Sequence, residues 1–440
     1  MSKPDIVIVG GGLSGLSAAR SLAAGGASVQ ILCGGAGVGG RVRTDAHDAP
    51  TGRFLLDRGF QVYLTAYEET GRLIDTDALG FRAFYPGSLV RFEGSFHRVA
   101  DPFRKPLDAV KLFASPVASL PDKARLGLLD QRIKRSSVDA IWARPERTTL
   151  AMLREAGFGE AAIERFFRPF FGGVFFDREL ETSSRMFEFT YKHFATGDTA
   201  LPAQGMGAIP QHIADRLTAD FPRVEIKTDC AVARIDPKTA ELTLGTGEAV
   251  PALRVLIATD GHAQAALLGQ KPTVPFNQTA TVYYDADPET IAALGGESIL
   301  VLDGDGTGPV NHLAVPNLTQ PGYAPEGRAL VACSIVDPEV LTALDDESLD
   351  AAIRKQMVGW FGDGANQWNR LRVYRIRHAL PRRVPGEHGI DMGAFSTRVA
   401  ACTTGRVHVT GDHLTHGSIE GAVVAGRRAA EMMLAGSGSP

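Results

Sequence analysis

The stretch Asp5-Ile6-Val7-Ile8-Val9-Gly10-Gly11-Gly12-Leu13-Ser14-Gly15-Leu16 decides how this chain is to be read. Four β-branched residues in succession suit a strand buried on both faces, as in a parallel sheet. Glycines at 10, 12 and 15 follow in G-x-G-x-x-G spacing, and from Leu13 to Ala24 the residues are small or good helix formers, with a stop at Gly25-Gly26. In such a turn the first glycine permits the tight bend and the second lets a pyrophosphate approach the backbone. The third lets helix and strand pack closely. The helix N-terminus adds free N–H groups and a positive dipole end. Gly10, Gly12, Leu13, Ser14 and Gly15 are therefore expected to hold a dinucleotide. A second apolar run, Ser28 to Leu32, completes a β-α-β unit, so the predicted class is α/β with a Rossmann-like domain. The fingerprint by itself does not separate FAD from NAD.

The next segments narrow the choice. After the second strand comes Gly37-Val38-Gly39-Gly40-Arg41-Val42-Arg43-Thr44, and the far end reads Val407-His408-Val409-Thr410-Gly411-Asp412, then Gly417-Ser418-Ile419-Glu420-Gly421-Ala422. On these segments the chain resembles the flavin-containing amine oxidase superfamily, which includes monoamine and polyamine oxidases, protoporphyrinogen oxidase and phytoene desaturases. The resemblance implies FAD, with Gly39, Gly40 and Arg41 at its pyrophosphate and Gly411 and Asp412 at its ribityl chain. Ile419 and Glu420 then open a last helix that faces the flavin ring. Arginine's planar fork suits a pyrophosphate, and a helix N-terminus stabilises the negative charge that reduction places on the ring. Asp229-Cys230-Ala231-Val232-Ala233-Arg234-Ile235 is similar to a family segment whose valine, Val232 here, meets the adenine through its backbone. Leu201 to Pro210 and the turn Asp57-Arg58-Gly59-Phe60-Gln61 resemble the protoporphyrinogen oxidase and desaturase branch, where Gly59 and Phe60 would lie near the flavin. The resemblance implies a discontinuous FAD domain (1–85, 200–262 and 395–440) with an inserted α+β substrate domain (86–199 and 263–394).

Departures from the pattern carry expectations of their own. Sheets of this type usually end the second strand in Asp or Glu to hold the ribose hydroxyls, and here the residue is Cys33. A thiol is a weak partner, so weakened but retained FAD affinity is expected. Where amine oxidases of the family keep a lysine before a Tyr-Tyr-like run, this chain has Gln278-Thr279-Ala280-Thr281 before Val282-Tyr283-Tyr284. That argues against a straightforward amine oxidase. Phenylalanines crowd residues 158–194, as the lining of a lipophilic pocket or the core of a helical subdomain. His413 and His416 flank the closing motif, facing either the site or solvent.

Composition excludes several partners. A net charge of −4 over 440 residues supplies no basic field for nucleic acid. No apolar stretch reaches the roughly 18 residues of a membrane span, although peripheral membrane contact is left open. Cys33, Cys230, Cys333 and Cys402 are scattered, without metal-ligand spacing, so no metal is expected and a reducing, cytoplasmic setting is. The partner expected is a small apolar molecule. The reaction expected is hydride transfer from a substrate C–H to flavin N5, by an oxidase or desaturase of an apolar or polycyclic substrate, with no acid or base singled out. The alternatives are an amine oxidase releasing peroxide, a redox-neutral flavin isomerase and a non-catalytic nucleotide-binding scaffold.

Overall fold

In the computed structural model, residues 4–100, 104–105, 115–386, 392, 395–399, 402 and 405–435 are described. The sequence from about Asp101 to Phe194 predicts helices broken by prolines, and the start of that stretch falls partly outside the described residues. The strands of the two main sheets are, in chain order, β1 (Ile6–Val9), β2 (Val29–Leu32), β3 (Gly87–Phe92), β4 (Ser95–Ala100), β5 (Val224–Lys227), β6 (Arg254–Ile257), β7 (Phe276–Ala286), β8 (Leu300–Asp303), β9 (His312–Ala314), β10 (Ala329–Ile335), β11 (Asn369–Pro381) and β12 (Val407–Val409). The helices that matter for the site are α1 (Leu13–Ala24), α2 (Glu68–Gly71), α3 (Leu120–Arg135), α4 (Arg168–Phe175), α5 (Ser184–Thr196), α6 (Ala208–Asp220), α7 (Gly261–Leu267) and α8 (Ile419–Ala435).

Sequence-remote segments build one five-stranded sheet in the order β5-β2-β1-β6-β12, parallel throughout. Ile6, Val7 and Ile8 are fully buried, as a central parallel strand requires. The two ends of the chain close on each other across this sheet. Ser14 Oγ lies 3.1 Å from Thr410 Oγ1, and Ser17 Oγ donates to Val423 O at 2.8 Å. Gly426 lets α8 approach α1 so closely that a Cβ there would stand 2.1 Å from Ser14 O.

A second, seven-stranded sheet runs β11-β7-β10-β9-β8-β3-β4, antiparallel except between β8 and β3. The run Thr279-Ala280-Thr281-Val282-Tyr283-Tyr284, whose β-branched and aromatic residues predict a strand, is the middle of β7, and the Gly245-Thr246-Gly247 turn joins strands Glu241–Leu244 and Ala249–Pro251 as a hairpin. The phenylalanine-rich block is helical, and Phe167, Phe171, Phe175 and Phe187 are buried in its core. Among the described residues no helix is long and apolar enough to cross a membrane.

Candidate active site

The parallel sheet places the ends of β1, β2, β6 and β12 on one cavity of about 1660 Å³, the position where open α/β sheets bind ligands. Single-ligand pockets run to roughly 1,000 Å³, so a dinucleotide and a second molecule fit together. Gly10, Gly12, Leu13 and Ser14 line it from the chain's start, Gly39 to Val42 from the next loop, and Gly411, Asp412 and Ile419 from its far end. The glycines divide by task. A Cβ on Gly15 would lie 2.1 Å from Gly10 O, so Gly15 serves helix–strand packing and sits behind the wall. Gly12, by contrast, has nothing nearer than 4.0 Å to an added Cβ, leaving the backbone open to an approaching phosphate. No side chain caps α1, whose N-cap is Gly12, so its first N–H groups are available to an anion. The donor set and the open cradle fit a dinucleotide.

Arg41 and Asp412 meet at the centre. Arg41 Nη2 donates to Asp412 Oδ1 at 2.6 Å, and Nη1 to Ala379 O at 2.9 Å. Asp412 is buried, so this pairing keeps its charge from standing alone. The turn holding Gly59 and Phe60 is pinned on both sides: Phe60 N donates to Thr281 Oγ1 at 3.1 Å, and Gln61 Nε2 to Arg41 O at 2.9 Å. Arg58 beside them forks onto Asp45, which also accepts from Tyr374 Oη at 2.7 Å. Below the turn, Asp57 is 3% exposed and accepts from Thr44 Oγ1, Met206 N and Tyr323 Oη. Burial pushes its carboxyl up to about 6, the three hydrogen bonds offsetting only part of the effect.

Besides Gly15, two expected residues are not brought to the cavity wall. Val232 stands in the strand Val232–Ile235, and it is the preceding residues that brace the loop after β2, through Asp229 N to Gly35 O at 2.9 Å and Cys230 N to Cys33 O at 2.9 Å. Glu420 turns the other way. Its carboxylate accepts from Glu69 N, Thr70 N and Thr70 Oγ1, docking α2 onto α8. His413 and His416 neither line the cavity nor face solvent. His413 Nε2 lies 3.0 Å from Gln264 Oε1, His416 stacks on Trp142, and burial holds them down to about 4 and about 3 respectively. Both readings of the phenylalanine block hold at once, since Phe166, Phe170, Phe176 and Phe194 line the cavity while Phe167 and Phe187 do not.

One feature of the wall was not anticipated. Pairing across the seven-stranded sheet sets Tyr374 opposite Thr281, Thr281 opposite Ser334, and Ser334 opposite His312, and all four line the cavity. They form a continuous polar row across the sheet, in the cavity wall. His312 is fixed within it: Asn311 Nδ2 donates to Pro169 O at 2.7 Å and lies 3.2 Å from His312 Nδ1. The carbonyl acceptor sets the amide's orientation, so Nδ1 accepts and the ring proton resides on Nε2. Burial keeps the ring neutral by lowering it to about 4.

The sequence profile of flavin-containing amine oxidoreductases matches residues 13–434. The chain belongs to that family. It is a flavin-dependent oxidoreductase acting on a small molecule. A coproporphyrinogen III oxidase from Propionibacterium freudenreichii subsp. freudenreichii is 24% identical over 417 residues, 79% of this chain and 76% of its own. Protoporphyrinogen oxidase 2, chloroplastic/mitochondrial, from Arabidopsis thaliana is 24% identical over 174 residues, 40% of this chain but only 33% of the plant protein. Among solved structures, an oxidoreductase from Methanosarcina mazei superposes with a TM-score of 0.74 at 17% identity, covering 97% of this chain and 99% of the other. That likeness shows one fold shared over nearly the whole of both chains. Within the family this chain has Thr279 and Thr281 on the cavity face of β7, where the resemblance led one to look for a lysine.

Proposed function

We propose that this oxidoreductase binds FAD non-covalently between its first and last long helices and oxidises an apolar or polycyclic substrate at a C–H bond. The observation that carries the reading is that Gly12 and Asp412, from opposite ends of the chain, line one cavity too large for a single ligand. FAD, when bound, supplies a ring that accepts a hydride. The chain's own residues do the rest. The open N-terminus of α1 receives the pyrophosphate, with Arg41, held in place by Asp412 and Ala379 O, lining the same cavity, and the N-terminus of α8, beginning at Ile419, stabilises negative charge on the ring. The phenylalanine wall excludes water and positions an apolar body, while His312 offers one neutral Nε2–H donor.

The polycyclic reading is supported by the two curated relatives, which are porphyrinogen oxidases by name. The FAD domain is taken as 1–85, 200–262 and 395–440 and the substrate domain as 86–199 and 263–394, in keeping with the strands each stretch contributes to the two sheets. Four free cysteines fit a reducing, cytoplasmic setting.

The test is direct. Purified protein should be yellow or become so with FAD, and anaerobic addition of coproporphyrinogen III should bleach the bound flavin. Protein that stays colourless with FAD refutes the cofactor. Flavin bleached by simple amines but not by the porphyrinogen would overturn the substrate class in favour of amine oxidation.

A further inference from the structure

The end of β2 is where a sheet of this kind usually presents a carboxylate to the ribose hydroxyls. Here it presents Cys33, which is buried and whose Sγ donates to Gly37 O at 3.1 Å. The thiol is engaged with its own loop and offers little to a ribose. A different side chain reaches the same corner. Arg43 runs back along the loop, so that a Cβ built on Gly39 would lie 3.3 Å from Arg43 Cγ, and one on Gly35 would lie 3.1 Å from Arg43 Nη1. The guanidinium therefore rests over Gly35, two residues beyond Cys33, in a space that a side chain at position 35 would contest. Cys33, Gly34, Gly35 and Arg43 all line the cavity.

The neighbouring arginines have their counter-ions within the protein: Arg41 has Asp412 and Arg58 has Asp45. Arg43 is half-buried and, among the described residues, pairs with no carboxylate. A partly desolvated guanidinium facing a ligand cavity without a protein anion is matched by an anionic ligand group, and its fork suits phosphate and vicinal oxygens. In nucleotide-binding sheets, an arginine in place of the carboxylate is also the arrangement that accommodates a phosphate on the ribose.

We propose that Arg43 holds the adenosine ribose and adjoining phosphate of the dinucleotide in place of the missing carboxylate, and that this makes the corner prefer a phosphorylated ribose. The proposal rests on the FAD reading above. It explains how a site with Cys33 retains its cofactor, and it separates the nucleotide corner from the flavin end held by Asp412 and α8.

The experiment uses the full chain freed of nucleotide, as wild type, Arg43→Ala, Arg43→Lys, Cys33→Glu and Arg43→Ala with Cys33→Glu. FAD is titrated by quenching of its fluorescence, and adenosine 2′,5′-bisphosphate and 5′-ADP are titrated by calorimetry. Arg43→Ala should weaken FAD by about ten- to a hundredfold, the usual worth of hydrogen bonds to a charged group. Arg43→Lys, with a point charge but no fork, should lie between, and Cys33→Glu should restore part of the loss in the Arg43→Ala background. Wild type should bind the 2′,5′-bisphosphate more tightly than 5′-ADP, and Arg43→Ala should abolish that preference. Wild-type FAD binding with an Arg43→Ala value within about twofold overturns this proposal alone. So does equal affinity of wild type for the two adenosine phosphates. Wild type that binds none of the three ligands overturns the dinucleotide reading, and this proposal with it.

Discussion

Replacing Asp57 by asparagine isolates a single buried proton. The carboxylate is reached only by hydroxyl and N–H donors, and no arginine or lysine pairs with it among the described residues. Its folded value is about 6 against an ordinary 3.8, raised by burial. Between those two values the folded chain holds a proton that the unfolded chain has released. Stability attributable to Asp57 is thus fully present below about pH 4 and is lost as pH rises through about 6. At about 1.4 kcal/mol per unit, the roughly two-unit gap corresponds to about 3 kcal/mol. Asparagine keeps an oxygen for Thr44 Oγ1 and Met206 N and turns its amide on Tyr323 Oη, which can accept instead of donate. The Asp57→Asn variant therefore preserves the packing and removes the titration. Urea unfolding of both proteins between about pH 4 and 7 should show wild type losing about 3 kcal/mol relative to the variant across the window. A difference that stays constant with pH would refute the reasoning. The turn that carries Gly59 and Phe60 to the cavity begins at this residue, so the same titration reports on its support.

Other measurements reach other parts of the site. Gly15→Ala drives a methyl to 2.1 Å from Gly10 O, so urea unfolding should show a loss of about 1–3 kcal/mol or more, with less flavin absorbance per chain. Arg41→Ala leaves buried Asp412 unpaired and should cost about 3–5 kcal/mol, whereas the double replacement Arg41→Met with Asp412→Leu should cost less, as a double-mutant cycle would record. Nitrogen NMR should find His312 neutral, with its proton on Nε2, from about pH 5 to 8, since its pKa is held near 4; a titration near 6.5 would contradict that geometry. Glu420→Gln should lower stability by detaching α2 from α8 while leaving FAD affinity close to wild type in a fluorescence titration, because the carboxylate serves Thr70 and not the cavity.

What the sequence determined by itself is whatever the local backbone dictates. The β-branched run, the glycine spacing at 10, 12 and 15 and the helix stop at Gly25 each constrain their own neighbours, and α1 begins and ends where those residues place it. The motifs at the two ends were legible for the same reason, and with them the cofactor class. Tertiary structure decided everything that depends on which strand lies beside which. Tyr374, Thr281, Ser334 and His312 share a row only because four strands pair in a register that one chain read in isolation leaves unspecified. Glu420 was read as a ligand residue from its place in a motif, yet a helix from residues 68–71 packs there and takes its carboxylate. His413 and His416 looked like turn residues and are buried, because Gln264 and Trp142 arrive from distant segments. Arg43 reads as one more basic loop residue until the loop folds back and lays its guanidinium over Gly35. Backbone preference acts over a few residues and is written in order along the chain, whereas the partner of a side chain is chosen by burial and pairing between segments whose approach only the folded state fixes.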